Sequence, residues 1–242
     1  MKKILNIMFL LTFCLCLGGC SREQRLTYED EYFLYSYIIN SHDENDDKYI
    51  YLIGLTEKGK DQEILIIPSN VNGREVFIKT SRGLWGNDTT YFESVNLKKI
   101  YVPDNIEIVY NIHAPYETKI LALSAHISPL TEPESGILYI NREAYEKGFK
   151  NSERPANVSY KWNYEEAPNS GYYWIDNYYS EIISYIPTNP TREGYIFDGW
   201  YKEPECINKW DFDNDIVPGT EWESGVIVKY QETILYAKWI EC

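Results

Sequence analysis

Residues 194–201 read GYIFDGWY, and the chain continues KEPECINKWDF to residue 212. In an extended chain Tyr195, Phe197, Gly199 and Tyr201 share one side, while Ile196, Asp198 and Trp200 take the other. A period of two predicts a β-strand with one side favoured for burial, and Gly199 leaves room for close packing. Near the end, ILYAKW (234–239) repeats the pattern, with Leu235, Ala237 and Trp239 on one side and Tyr236 on the other. Two such strands are expected to pair around one small core, each ring burying about 150–250 Å². Trp210 and Phe212 lie between them in WDFDND, where the acidic residues mark a turn.

The rest of the chain agrees with a mainly β fold. It has 23 Tyr against 2 Met and 3 His, and tyrosine suits strands whose outer face stays half wet. Upstream of the opening stretch, Val158 to Pro187 is dense in Tyr and Trp, and Pro187 and Pro190 stiffen an extended approach to it. Residues 151–157 read as a linker. Before them, Tyr32–Asn40 and Tyr49–Leu55 flank a polar turn, which predicts a hairpin. That turn places Asp43, Asn45 and Asp47 at calcium-loop spacing, but the sixth position lacks glycine and position twelve is Gly54 rather than Glu. It reads as a solvated turn. Four apolar runs then begin at Ile64, Ile100, Ile120 and Ile137, 36, 20 and 17 residues apart. Pro68 and Pro103 stop two of them. A loose period near twenty predicts a stacked strand-and-turn solenoid, closed by a short helix that Asn141 caps and Gly148 ends.

The first residues belong to export. Lys2 and Lys3 precede an apolar run from Ile4 to Leu17, and Leu17-Gly18-Gly19-Cys20 closes it. This ending resembles the lipobox of bacterial lipoproteins. The resemblance implies cleavage between Gly19 and Cys20, acyl chains on the Cys20 thiol, and a protein anchored to the outer face of a membrane. The segments expected are therefore a signal peptide over 1–19, a tether over 20–29, a solenoid-like domain over 30–150, the linker, and a second domain over 158–242. Without residues 1–19 the 23 basic residues fall to 21 against 37 acidic, a formal −16. Such a surface excludes a nucleic-acid backbone as partner and does not lie flat on anionic lipid. Membrane contact falls to the acyl chains.

Two further resemblances are specific. The run YIINSHDENDDKYIYLIGLTEKGKDQEILIIPSNVNGREV, followed by LKKIYVPDNI, is similar to the BspA-type leucine-rich-repeat-like domains of bacterial surfaces. NPTREGYIFDGWYKEPECINKWDFDNDIV, followed by TILYAKW, resembles the Listeria–Bacteroides repeat, also called the internalin B-type repeat. The second implies a small β-grasp-like unit in which Gly194, Tyr195, Phe197, Gly199, Trp200, Tyr201, Trp210, Phe212, Leu235, Tyr236 and Trp239 are structural. This copy carries an insertion at 219–232 and an N-terminal extension from about residue 158.

Catalytic chemistry is sparse. His42, His113 and His126 are scattered, without the spacing of a zinc site. Carboxylate pairs such as Glu165 with Glu166, or Asp213 with Asp215, are unavoidable among 37 acidic residues. No cofactor, catalytic set or metal site is expected. Cys206 and Cys242 remain in the exported part, and either a disulfide between them or two free thiols fits the spacing. The expected function is a non-enzymatic binding or adhesion lipoprotein of the bacterial envelope, with a protein or glycan ligand. The alternative is a lipid-anchored carbohydrate-active enzyme or accessory, because exposed aromatic rings stack on sugars.

Overall fold

The computed structural model describes residues 24–39, 48–78, 90–92, 96–106, 112–123, 136–147, 154–224 and 226–242. Gly19, Cys20, the acidic turn Asp43–Asp47, His42, His126 and Gly148 lie outside the described residues. The chain is mainly β. In order it forms β1 (Gln24–Glu29), β2 (Phe33–Ile39), β3 (Tyr49–Leu55), helix α1 (Glu57–Lys60), β4 (Ile64–Ile66), β5 (Asn70–Val71), β6 (Arg74–Ile78) and β7 (Thr90–Tyr91). There follow β8 (Lys99–Val102), β9 (Ile112–His113), β10 (Lys119–Ala122), β11 (Ile137–Ile140), helix α2 (Arg142–Glu146) and β12 (Arg154–Pro155). The remainder supplies β13 (Val158–Lys161), β14 (Tyr172–Asp176), β15 (Glu181–Ile182), β16 (Tyr195–Tyr201), β17 (Ile216–Val217), β18 (Glu221–Glu223), β19 (Val226–Lys229) and β20 (Thr233–Glu241).

The predicted hairpin is present as β2–β3, and it is one pair in a sheet ordered β1-β2-β3-β6-β5. Gln24–Glu29, expected as part of a tether, is instead the edge strand of that sheet, paired with β2 along its whole length. The local cause is Asp30. Its carboxylate accepts the amides of Tyr32 and Phe33 and the Tyr35 hydroxyl, which closes a tight turn between β1 and β2. At the other edge, Asn72 and Gly73 both take positive φ and join β5 to β6, the backbone that a two-residue hairpin turn requires.

The four apolar runs become neighbours in a second sheet, β12-β11-β10-β8-β4, in which every pair is parallel. Register aligns Leu65, Ile100, Ile120 and Leu138 in one column, and all four are buried in the core shared with the first sheet. The next column, Ile66, Tyr101, Leu121 and Tyr139, faces the other way. Asn141 caps α2 by accepting the Ala144 amide at 2.8 Å.

Residues 154–157 are not a linker. Arg154–Pro155 adds the fifth strand to the parallel sheet, and Ala156 and Asn157 are wholly buried. Asn157 donates to the carbonyls of Tyr178 and Pro218 and accepts the Tyr178 amide. A third sheet, β14-β13-β20-β16, follows at once. Its β13 sits between β14 and β20, so the segment from residue 158 is a central strand rather than an extension. The insertion at 219–232 forms the small hairpin β18–β19 and leads into β20.

Candidate functional site

The stretch GYIFDGWY forms β16, but its alternation breaks halfway. Register against β20 slips between Phe197 and Gly199, and Gly199 takes φ +120°. This bulge adds one residue, so the sides exchange beyond it. Trp200, rather than Tyr201, joins Phe197 in the core, with the two rings 5.1 Å apart and edge to face. Tyr201 is buried elsewhere, donating to Asp198 Oδ2 at 2.9 Å and accepting from Lys238 Nζ at 3.3 Å. The space at Gly199 is taken by the Lys209 side chain, whose ammonium donates to the Asp198 carbonyl at 2.6 Å.

The other motif residues hold this module together. Leu235 and Ala237 are fully buried, and Trp239 packs on the same core from its edge. Tyr236 lies opposite Tyr201 in the β16–β20 pair. The Trp210 amide donates to the Trp200 carbonyl, and Trp210 and Phe212 pack at the core's margin. At the far end of the pair Tyr195 lies opposite Glu241, and Gly194 accepts the Cys242 amide at 3.0 Å.

A seam joins this module to the parallel sheet. Tyr101, Leu121 and Tyr139 from the sheet's outer column pack with Ala156, Tyr172 and Ile175 in one buried cluster. Trp174 and Tyr185 lie over Tyr101 at 4.2 and 5.3 Å between ring centroids. At the centre Asp176 accepts Lys99 Nζ at 2.7 Å, Tyr101 OH at 2.6 Å and its neighbour Asn177's amide at 2.7 Å. Lys119 donates to the Asn177 carbonyl, and burial lowers its ammonium's pKa from the ordinary lysine value. Burial and the Asp176 charge push the Tyr101 hydroxyl far up, so it stays a donor. The outer face of β8, β10 and β11 is thus covered by the C-terminal module, whereas Ile66 on β4 stays exposed. A second polar cluster, Lys161, Glu232, Ser159 and Tyr172, lies on β13, β14 and the approach to β20, near Glu143 of α2.

The module's far end stays open. Two shallow hollows meet at Asn163, and the second, of about 350 Å³, is lined by Asn163, Arg192, Tyr195, Glu205, Lys238 and Trp239, with Cys206 and Ala237 at its base. The Arg192 guanidinium carbon lies 3.7 Å from the Tyr195 ring centroid, 4.2 Å from Tyr164 and 6.0 Å from Trp239. Trp239 is itself oriented by an indole N–H bond to the Trp162 carbonyl at 2.6 Å. The Asn163 amide donates to the carbonyls of Pro204 and Ala237, which fixes its position. Among the described residues no carboxylate pairs with Arg192. No local pattern announces this cage, because its rings come from three separated segments.

Cys206 and Cys242 are free thiols, so the disulfide alternative is not realised. The reason is placement along β20. Cys206 Sγ lies 3.9 Å from the Ala237 carbonyl, whereas Cys242 is five residues further along the extended chain, about 16 Å away. Bridged cysteines need Cα atoms within about 7 Å. Among the described residues no group of three or more His, Cys, Asp or Glu is placed to hold a metal ion.

Residues 157–238 match the family model of the Listeria–Bacteroides repeat domain. The match begins at Asn157, so β13 belongs within the repeat, in keeping with its central place in the sheet. No solved structure matches the chain.

Proposed function

We propose that the chain is a non-enzymatic lipoprotein of the bacterial surface that presents an open hollow, at the far end of its C-terminal module, to a protein or glycan ligand. The observation that carries this reading is the position of that hollow. β20 runs from Thr233, whose amide bonds to Asn157 beside the seam, to Glu241. Trp239 therefore lies about 20 Å along β20 from Thr233 at the ordinary strand rise, and about 10 Å past the Tyr236 row that the seam's Tyr172 reaches through Lys161. Anchoring through Cys20 fits this geometry. Only three residues lie between Cys20 and the first residue of β1, so the four Cα steps reach about 14 Å. The N-terminal half is then held close to the bilayer, and the buried seam carries the hollow outward as part of one body.

The Listeria–Bacteroides repeat supports a surface-associated role for the C-terminal module. For the N-terminal half we favour the BspA-type, leucine-rich-repeat-like reading, a short solenoid finished by α2; the parallel register of β4, β8, β10 and β11 supports it. For the C-terminal module we favour a β-grasp-like unit. The test is a panel of glycans and extracellular-matrix proteins offered to the purified, folded full-length chain in detergent. Saturable binding to one of them is expected, and uniform absence of binding overturns the reading.

A further inference from the structure

The chemistry of the hollow narrows its ligand. Arg192 is half-buried, its planar group held over two tyrosine rings. Stacking engages the faces of a guanidinium and leaves its in-plane N–H donors available. In a chain with 37 acidic residues, this arginine has no acidic partner among the described residues. A stacked guanidinium loses little freedom on pairing and presents two parallel donors that match a carboxylate.

The rest of the lining argues for what carries that carboxylate. The Asn163 amide nitrogen is committed to backbone carbonyls and to the Cys206 sulfur, whereas no donor among the described residues reaches its oxygen. Glu205 is exposed, unpaired among the described residues, and lines the same hollow. Lys238 is already engaged by Asp198 at 3.2 Å. Besides the guanidinium, the hollow therefore offers acceptors, and these call for a ligand rich in hydroxyl donors. Glu205 also disfavours a doubly charged phosphate. The partly exposed Trp239 ring adds an apolar surface of the kind that a pyranose C–H face covers.

We propose that this hollow binds a carboxylated sugar of the uronic-acid type, with Arg192 holding the carboxylate and Asn163 and Glu205 accepting from ring hydroxyls. This assignment rests on the binding role proposed above. The test titrates the full-length chain in detergent with a galacturonate trisaccharide, its methyl ester and the neutral galactose trisaccharide, following tryptophan fluorescence. Inorganic phosphate and a short peptide with a free C-terminus serve as competing anions. Saturable binding of the uronate is expected, at least tenfold weaker for the ester and the neutral sugar.

Arg192→Lys and Arg192→Gln are expected to weaken uronate binding at least tenfold while the melting temperature stays within a few degrees. Arg192→Lys keeps the charge over the rings and loses only the fork, so its failure to bind does not report misfolding. Equal binding of the neutral sugar, preference for phosphate or peptide, or no uronate binding overturns the assignment. If the broader panel then finds a ligand whose binding ignores Arg192 substitution, only this inference fails and the surface-binding role stands.

Discussion

Lys99 Nζ and Asp176 Oδ1 meet at 2.7 Å across 77 residues of sequence, with side chains only 10% and 1% exposed. Ions this far from water are held by mutual attraction and by the remaining hydrogen bonds, here Tyr101 OH and the Asn177 amide on the same carboxylate. Removing one partner leaves the other without its counter-ion in the seam. Asp176→Ala is expected to destabilise the protein by about 3–5 kcal/mol, whereas Lys99→Met combined with Asp176→Leu recovers most of that loss. Urea denaturation of both variants checks this. A cost for Asp176→Ala below about 1 kcal/mol would show that the seam does not close around this pair.

That pair also marks where the sequence stopped being legible. The column Leu65, Ile100, Ile120 and Leu138 could be read because an apolar run bounded by proline or turns reports its own burial. The β16–β20 pair could be read from two matching alternations. Nothing local tells Lys99 from Lys98, yet the first is buried on Asp176 and the second pairs with Glu63 at the surface. QRLTYE reads as a polar tether because an edge strand with a wet face needs few apolar residues. The bulge at Gly199 was hidden because one added residue reverses a period-two pattern without changing composition. Arg192, Tyr164 and Trp239 come together only through sheet pairing, so their cage had no sequence signal at all.

Glycine substitutions should separate backbone strain from steric conflict. A Cβ at Gly194 meets open space, so Gly194→Ala pays only for its φ of +77°, about 1 kcal/mol. At Gly199 the φ is +120° and a Cβ would stand 2.5 Å from Lys209 Cε. That flexible chain can swing aside at the loss of its bond to Asp198, for about 2 kcal/mol in all. At Gly59 the obstruction is the Tyr32 backbone carbonyl, which no rotamer relieves, so Gly59→Ala is expected to cost about 3 kcal/mol or more. Thermal melts should rank the three in that order. Gly199→Ala matching wild type would mean that the bulge does not need glycine.

The two cysteines should behave as separate thiols of unequal reactivity. Cys242 is exposed, whereas Cys206 is half-buried against the Ala237 carbonyl, and burial raises its thiol pKa. Since the thiolate is the reacting form, iodoacetamide at pH 8 should label Cys242 several-fold faster than Cys206. Peptide mass mapping over time reads both rates. A peptide pair joined at these residues and released by reductant would contradict the geometry of β20.

Lys161 and Glu232 should make stability depend on pH in opposite directions. Burial depresses the Lys161 ammonium to about 8 in the folded chain, against an ordinary value of 10.5. The folded state therefore releases this proton first, and its contribution to stability rises as pH increases from about 8 towards 10.5. Burial raises the Glu232 carboxyl above its ordinary 4.5, with Ser159 and Lys161 opposing the shift. That contribution is fully present below 4.5 and is lost as pH climbs through the raised value. At pH 7 the Lys161 ammonium is thus charged against the preference of its surroundings, and burial likewise works against the Glu232 carboxylate. Because both are partly solvated, the penalty is modest. Lys161→Met and Glu232→Gln are each expected to melt a few degrees above wild type at pH 7. The first advantage should shrink between pH 8 and 9.5, and the second should vanish by pH 4.5. Melting curves across that range check both, and a pH-independent difference would show that packing rather than ionisation separates the variants from wild type.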